Sequence, residues 1–204
     1  MSAGKTKKTR PITIAKERQE LLQSCATLIA DVLVKKGSAN LLFVCTHNSR
    51  RSMMAQVLAA TYVAERGLKN IHCFSGGTES TAFNIRAVAA LDRAGFVVET
   101  EDANHDNPHY LVMLPGDERL ICFSKTYNDP INPKENLLAI MVCDDAAEAC
   151  PNVPGALARF SITYTDPKRY DDQEEESHQY DYTCQLIGAE MAFMVNQVAA
   201  QLTD

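Results

Sequence analysis

The feature that most constrains the fold is a polar turn between an apolar tetrapeptide and an amphipathic pattern. Residues 41–44 read Leu-Leu-Phe-Val, which is typical of a short buried strand, and residues 53–62 carry apolar side chains at helical spacing. Residues 45–52, Cys-Thr-His-Asn-Ser-Arg-Arg-Ser, therefore join the carboxyl end of a strand to a helix N-terminus. In a parallel sheet ligands bind at this position, and the unpaired N–H groups of the helix end favour an anion.

The residue types in this turn predict a reactive thiol and an oxyanion site. The helix end and the guanidinium groups of Arg50 and Arg51 both favour the thiolate of Cys45. Five residues separate Cys45 from Arg51, so the turn can curl around a tetrahedral oxyanion with the sulfur behind the central atom. Ser52 is expected to stabilise the thiolate as a leaving group. The expected oxyanion ligands are Thr46, His47, Asn48, Ser49, Arg50 and Arg51. A buried core cysteine ahead of a basic helix start is the simpler alternative.

Composition limits the class of protein. With 204 residues, of which 46% are hydrophobic and 23% charged, the chain is long enough for one well-packed domain. A net charge of -6 gives no general attraction to nucleic acid or to an anionic membrane. No run is apolar and long enough to span a bilayer, and no apolar signal core follows the basic N-terminus. We therefore expect a cytoplasmic enzyme without a nucleic-acid or membrane partner.

The cysteines are expected to be free thiols. There are seven, an odd number, in a chain too large to need disulfide staples. Cys25, Cys73, Cys122 and Cys184 lie within apolar or helical patterns and are predicted to be small core residues.

The remaining patterns alternate strands with helices. Helical patterns cover residues 15–36, 83–94 and the chain from about 177, and strand patterns cover residues 70–75, 96–98, 136–142 and 159–163. Two apolar runs, 110–114 and 120–123, flank a Pro-Gly turn and predict a β-hairpin. The sequence thus predicts an α/β fold, a doubly wound parallel sheet of about four strands flanked by helices, with an extra N-terminal helix and a β-hairpin insertion.

Residues 45–52, in their strand–turn–helix context, resemble the phosphate-binding loop of low-molecular-weight protein tyrosine phosphatases and of their relatives, the thioredoxin-coupled arsenate reductases. The resemblance covers most of residues 41–202, with a poor match over 101–135. It implies a phosphatase-like α/β domain over residues 37–204, preceded in residues 1–36 by a tail and a helix that typical members lack.

Four features of the chain bear on this resemblance. Residues 75–78, Ser-Gly-Gly-Thr, match a small-residue turn that supports the phosphate loop in these families, and an ordinary strand-to-helix turn is the alternative. Three positions depart from the family pattern. Arg50 replaces a common further cysteine, His47 replaces a glycine, and Gln56 replaces an acidic residue that helps to hold a cation in some reductases.

Asp166 is the candidate general acid. Transfer from an oxyanion to a thiolate needs an acid that protonates the leaving oxygen. Asp166-Pro167 resembles the Asp-Pro pair that carries this acid in both families, just before the last helix. A helix cap with proline at the first helical position is the alternative.

Cys143 and Cys150 distinguish reduction from hydrolysis. A phosphatase hydrolyses its cysteinyl phosphate with water, whereas a reductase needs a second thiol that attacks the cysteinyl arsenic adduct and a third that carries the disulfide to the surface. Residues 143–151 are similar to the redox segment of the reductases in thiol spacing and in the Cys-Pro step. The resemblance implies that Cys45 is the nucleophile, Cys143 the second thiol and Cys150 the third. One core cysteine and one loop cysteine is the alternative.

The resemblance therefore implies an arsenate reductase-like enzyme with arsenate as substrate and thioredoxin as partner. The alternative is a phosphatase that acts on phosphotyrosine or small phosphate monoesters through Cys45, Arg51 and Asp166 alone. A third interpretation, prompted by His47, Arg50 and the hairpin, is a catalytically silent oxyanion-binding module. No cofactor and no metal site is predicted, because His105 and His109 lack a cysteine or carboxylate partner at a familiar ligand spacing.

Overall fold

The computed structural model describes residues 12–100, 102–103, 105–149 and 152–203. Within these residues the elements follow in the order α1 (Lys16–Lys36), β1 (Ala39–Cys45), α2 (Arg51–Glu65), β2 (Ile71–Gly77), α3 (Ile85–Arg93), β3 (Val98–Thr100), β4 (Tyr110–Met113), β5 (Arg119–Cys122), β6 (Leu137–Met141), α4 (Asp144–Ala149), β7 (Ala156–Ser161), a short 3₁₀ helix (Pro167–Tyr170) and α5 (Glu176–Thr203).

Four parallel strands form the central sheet in the order β2-β1-β6-β7. The inner strand β1 places Leu41 between Cys73 of β2 and Leu138 of β6. Every residue of β6 and all but one of β1 are buried, as expected for parallel strands covered by helices. The predicted doubly wound parallel sheet of about four strands flanked by helices is confirmed.

The N-terminal helix α1 shares the core of this sheet. Leu22, Cys25 and Ala26 are fully buried in the same apolar cluster as β1 and β6. α1 packs along α5 and against β1. It ends at Lys36, the last residue of the predicted range, and is capped by Gly37, which has a left-handed backbone (φ 78°) and donates its N–H to the carbonyl of Leu33. The assignment of residues 1–36 to a unit of their own stays a prediction, and residues 1–11 lie outside the described part of the chain.

The predicted hairpin belongs to a second, antiparallel sheet in the order β3-β4-β5. β4 pairs with β5, with Leu111 opposite Ile121, and β3 pairs with the other side of β4, with Val98 opposite Val112. The strand predicted at 96–98 begins later because the N–H of Phe96 binds the carbonyl of Leu91 and closes the end of α3.

The last strand begins earlier than the predicted range of 159–163. Gly155 takes a left-handed backbone (φ 82°) against the carbonyl of Lys134, and the chain is extended from the next residue, so β7 covers Ala156–Ser161. Among the described residues, no helix combines the length and the apolar character that crossing a membrane requires.

Replacing Leu22 with alanine tests whether α1 is part of the cooperative core. Leu22 is fully buried, so Leu22→Ala should lower the free energy of unfolding by about 3 kcal/mol through lost burial and a residual cavity. Leu157→Ala is the control, because Leu157 is 53% exposed and should cost less than about 1 kcal/mol. Chemical denaturation measures both, and equal costs would contradict the integration of α1 in the core.

Candidate active site

The turn between β1 and α2 brings the Cys45 thiol to the Ser52 hydroxyl. Their Sγ and Oγ atoms lie 3.0 Å apart, and both residues are buried. The Oγ of Ser52 also accepts a hydrogen bond from Nδ2 of Asn48 at 2.9 Å. With Asn48 as its donor, the hydroxyl keeps its own hydrogen available for the sulfur of Cys45.

Asn48 gives the turn its shape. Its backbone is left-handed (φ 45°), a conformation that asparagine tolerates better than most residues. Its Oδ1 accepts the N–H of Lys125 at 2.9 Å, so the side chain bridges Ser52 and a segment beyond the hairpin. His47, in the family's glycine position, does not take a left-handed backbone. The turn therefore accommodates a histidine there without that strain.

The residues of the 75–78 turn support the loop from one side. The N–H groups of Thr78 and Glu79 bind the carbonyls of Cys45 and Thr46 at 3.1 Å and 2.8 Å. A Cβ on Gly77 would lie 2.7 Å from both the amide nitrogen of Asn48 and the carbonyl oxygen of Thr46. The supporting role that the resemblance implied for this turn therefore has a steric basis, since only a residue without a side chain fits.

The segment that follows the hairpin supports the loop from another side. The hydroxyl of Ser124 donates to the carbonyl of His47 at 3.0 Å, and the N–H of Gly77 donates to the carbonyl of Lys125 at 2.9 Å. Burial lowers the pKa of the Lys125 ammonium, whose charge lies over the ring of Phe123. Sequence reasoning missed Ser124 and Lys125, and no motif or periodicity in residues 101–135 marks them.

The guanidinium of Arg51 joins the loop to the candidate acid. Nη1 donates to the carbonyl of Tyr164 at 2.9 Å and Nη2 donates to Oδ2 of Asp166 at 2.6 Å. Nε is buried and has no hydrogen-bond partner among the described residues. A buried donor without a partner is costly, and an anion in the loop is a suitable partner for it.

Asp166 caps a helix, as the alternative interpretation expects, and it also lies beside the loop, where a general acid is needed. Its Oδ1 accepts the N–H of Lys168 at 3.0 Å and caps the 3₁₀ helix Pro167–Tyr170, in which proline is the first residue. Its Oδ2 contacts Arg51 at the same time. The cap therefore fixes the carboxyl beside the loop.

Cys143 lies beside the same loop. It follows β6, and its Sγ is 3.5 Å from Oγ1 of Thr46, the residue after Cys45. The thiol is fully buried and accepts the N–H of Ala146 in α4 at 3.3 Å. Cys150, the third predicted thiol, lies outside the described residues.

The side chain of Arg50 turns away from an anion-binding role. Its Nε donates to the hydroxyl of Tyr180 at 2.8 Å, and its Nη2 lies 3.3 Å from Oδ2 of Asp171. The hydroxyl of Tyr180 also donates to Asp171 at 2.7 Å. The Arg50 side chain therefore links the loop to Asp171 and Tyr180, which follow Asp166 in the chain. The group of Arg50 that remains available to an oxyanion is its backbone N–H.

Two carboxylates of the acidic run at 171–176 are packed against arginines. The side chain of Asp171 is 19% exposed against Arg50, and Glu176 contacts Nε of Arg86 at 2.7 Å. Hydrogen bonds from the backbone N–H of Asp172 and from Arg86 lower the pKa of Glu176. Asp171 and Glu176 therefore bind Arg50 and Arg86 and hold the chain in place just before α5 and in its first turn.

The other described cysteines are core residues, as predicted. Burial raises the pKa of the thiols of Cys25, Cys73, Cys122 and Cys184 to about 12. They are therefore protonated at neutral pH and poor nucleophiles. No group of three or more His, Cys, Asp or Glu side chains suited to a metal ion occurs in the part of the chain that the structure describes.

The chain is similar to known phosphatases and arsenate reductases. Residues 40–113 match the family described as "Low molecular weight phosphotyrosine protein phosphatase". The arsenate reductases of Bacillus licheniformis and Bacillus subtilis are 28% and 27% identical over 134 residues, which is 66% of this chain and 78% of each relative.

Solved structures of two related proteins share the fold. A low molecular weight phosphotyrosine phosphatase of Vibrio cholerae superposes with a TM-score of 0.53 at 18% identity, covering 80% of this chain and 99% of its own. A YwlE mutant of Bacillus subtilis gives 0.52 at 17%, covering 82% and 100%. The sheet and the loop define a low-molecular-weight phosphatase-like α/β protein. The chain is thus similar in sequence to arsenate reductases and, over residues 40–113, to the low-molecular-weight phosphotyrosine phosphatase family, and it shares the fold of such a phosphatase.

Replacing Gly77 with alanine tests the steric support of the loop. The new Cβ displaces the backbone of Thr46 and Asn48, so Gly77→Ala should lower the free energy of unfolding by about 1–3 kcal/mol. It should also weaken the binding of inorganic phosphate, measured by calorimetry. Gly188→Ala is the control, because its Cβ meets nothing closer than 3.5 Å. Unchanged phosphate affinity in Gly77→Ala would contradict the role of this glycine.

Proposed function

We propose that this protein is an arsenate reductase-like enzyme with Cys45 as nucleophile and Cys143 and Cys150 as a disulfide relay. The observation that carries the proposal is the contact of the Cys143 thiol with Thr46 of the phosphate loop, at 3.5 Å. β1 and β6 are parallel neighbours, with Val44 opposite Met141, so their carboxyl ends deliver two thiols to one edge of the sheet. The similarity to curated arsenate reductases supports the same conclusion.

Arsenate binds in the curl of residues 46–51. The backbone N–H groups there and the N-terminus of α2 provide donors for its oxygens. The buried Nε of Arg51, which has no partner among the described residues, provides a charged donor. Because Arg51 also binds Asp166, the anion and the acid are held by one guanidinium.

The first step is attack of the Cys45 thiolate on arsenic. Asp166 protonates the departing oxygen, which leaves as water. The hydroxyl of Ser52, 3.0 Å from the sulfur, stabilises the thiolate before attack. The product is a cysteinyl arsenic(V) adduct on Cys45.

The second step is reduction. The Cys143 thiolate attacks the sulfur of Cys45, and the electron pair of the sulfur–arsenic bond stays with arsenic, which leaves as arsenite. Cys150 then attacks the sulfur of Cys143, which frees Cys45 and forms a Cys143–Cys150 disulfide. The dithiol of thioredoxin reduces this disulfide. A relay of this kind belongs in the reducing cytoplasm, and we propose that location for the protein.

A specific observation favours phosphatase activity as a second candidate function. Cys45, Ser52, Arg51 and Asp166 form a connected site without Cys143. Water hydrolyses a cysteinyl phosphate, and no further thiol is needed. A cleft of about 470 Å³ lies beside the loop, with Phe83 and Ile85 in its lining, and can accept the organic part of a phosphotyrosine or a small phosphate monoester. An intact thiol–hydroxyl pair also favours an enzyme over a catalytically silent module.

Arsenate-dependent oxidation of NADPH by the protein with thioredoxin and thioredoxin reductase tests the proposal. Cys143→Ser and Cys150→Ser should each abolish arsenate reduction, because each removes one transfer of the disulfide. Cys122→Ser is the matched control. That thiol is as buried as Cys143, its pKa is raised to about 12, and it lies in β5 of the antiparallel sheet and takes no part in the proposed relay.

Turnover of an aryl phosphate is measured beside this assay on the same variants. Arsenate reduction that survives Cys143→Ser would contradict the relay. Phosphatase turnover that is indifferent to Cys143→Ser and Cys150→Ser, without arsenate reduction in the wild type, would identify the protein as a phosphatase.

A further inference from the structure

A buried carboxylate links the N-terminal helix to residues 163–166, the segment that follows β7 and ends at Asp166. Glu190 of α5 has a side chain only 5% exposed. Nε of Arg18 in α1 donates to both of its oxygens at 3.0 Å, and the hydroxyl of Tyr164 donates to Oε2 at 2.7 Å. The Arg18 side chain is 21% exposed, so the ion pair is partly buried, and such a pair adds little net stability over an apolar packing.

Arg18 also binds the backbone of the segment 163–166, which ends at Asp166. Nη2 of Arg18 donates to the carbonyl of Thr163 at 3.1 Å, and its guanidinium lies 5.1 Å from the ring centre of Tyr164. The next carbonyl, that of Tyr164, accepts Nη1 of Arg51 at 2.9 Å. Two consecutive carbonyls are thus held by two arginines, one from α1 and one from the phosphate loop, and Asp166 follows two residues later.

Tyr164 connects the two arginines, because it contacts Arg51 and also Glu190, the partner of Arg18. Its side chain is buried, and burial together with the neighbouring Glu190 raises the pKa of its hydroxyl. The hydroxyl therefore stays protonated and donates to Glu190 while the backbone carbonyl of the same residue binds Arg51. A shift of Tyr164 moves the partners of both arginines.

We infer that Arg18 and Glu190 are positioning residues that fix the segment 163–166 against Arg51, which makes α1 a functional part of the active site. The helix lies before residue 40, where the match to the family begins. The inference rests on the proposed role of Asp166 as the acid.

The test uses a double variant, Arg18→Gln with Glu190→Gln, because either single change leaves a buried charge or donor without its partner. Aryl phosphates of graded leaving-group pKa report on the acid, since poor leaving groups need protonation and good ones do not. The kcat/KM for phenyl phosphate, which reports on the step in which the leaving group departs, should fall about tenfold, and that for a dinitrophenyl phosphate less than about twofold. Arg93→Gln is the control, because Arg93 joins α3 to α5 through Asp181 at 2.6 Å and should leave both rates unchanged.

Two further measurements separate positioning from general damage. In an Asp166→Asn background the double variant should cause no additional loss, because both changes act through one acid. Hydrogen exchange of the Tyr164 amide, which binds the carbonyl of Val142, should be about tenfold faster in the double variant and unchanged in Arg93→Gln.

The exchange measurement needs no turnover, so it decides the inference even if the protein hydrolyses no aryl phosphate and the phosphatase candidate fails. Unchanged exchange at Tyr164 overturns the inference. A loss of kcat/KM that is equal for good and poor leaving groups, or that adds to the effect of Asp166→Asn, overturns it as well.

Discussion

The site is organised around one buried guanidinium. Arg51 is only 7% exposed, and a buried charge requires partners on its donors. Arg51 lies at the start of α2, where the phosphate loop ends. Its hydrogen bonds to Tyr164 and Asp166 connect the loop to a segment more than a hundred residues away. The third donor, Nε, is left for an oxyanion. In the proposed mechanism, substrate binding and placement of the acid thus depend on the same side chain.

The loop itself is held from several parts of the chain. Gly77 of β2 leaves room for the backbone of Thr46 and Asn48, Ser124 binds the carbonyl of His47, and Lys125 binds Asn48. The sheet order β2-β1-β6 makes this possible, because it places the ends of β2 and β6 on either side of β1. These contacts hold the loop backbone in place, and such preorganisation reduces the entropy cost of binding an anion.

The sequence predicts the parts of the site that lie within one stretch of chain. The strand, turn and helix around Cys45 follow from local patterning, and the contact between Cys45 and Ser52 follows from their spacing in that turn. The Asp-Pro pair, a short motif, singles out Asp166 as the candidate acid, and the structure places its carboxylate against Arg51. The central sheet follows from the alternation of apolar strands and helices.

The side-chain pairs between distant segments could not be predicted in this way. Arg18 and Glu190 are 172 residues apart, and Lys125 and Asn48 are 77 apart. Periodicity marks the buried face of a helix but not the charged partner on another one, so α1 was recognised as a helix and its contact with Tyr164 was not. Arg50 was assigned to the anion for the same reason, since its partners Tyr180 and Asp171 lie far along the chain.

The most direct test of the account is to map the thiols after a single turnover. The reduced protein is mixed with one equivalent of arsenate in the absence of thioredoxin, quenched with acid, alkylated and analysed by peptide mass spectrometry. The account predicts one arsenite released per chain, a Cys143–Cys150 disulfide and a free Cys45 thiol. Full alkylation of Cys143 and Cys150 with no arsenite formed would contradict it.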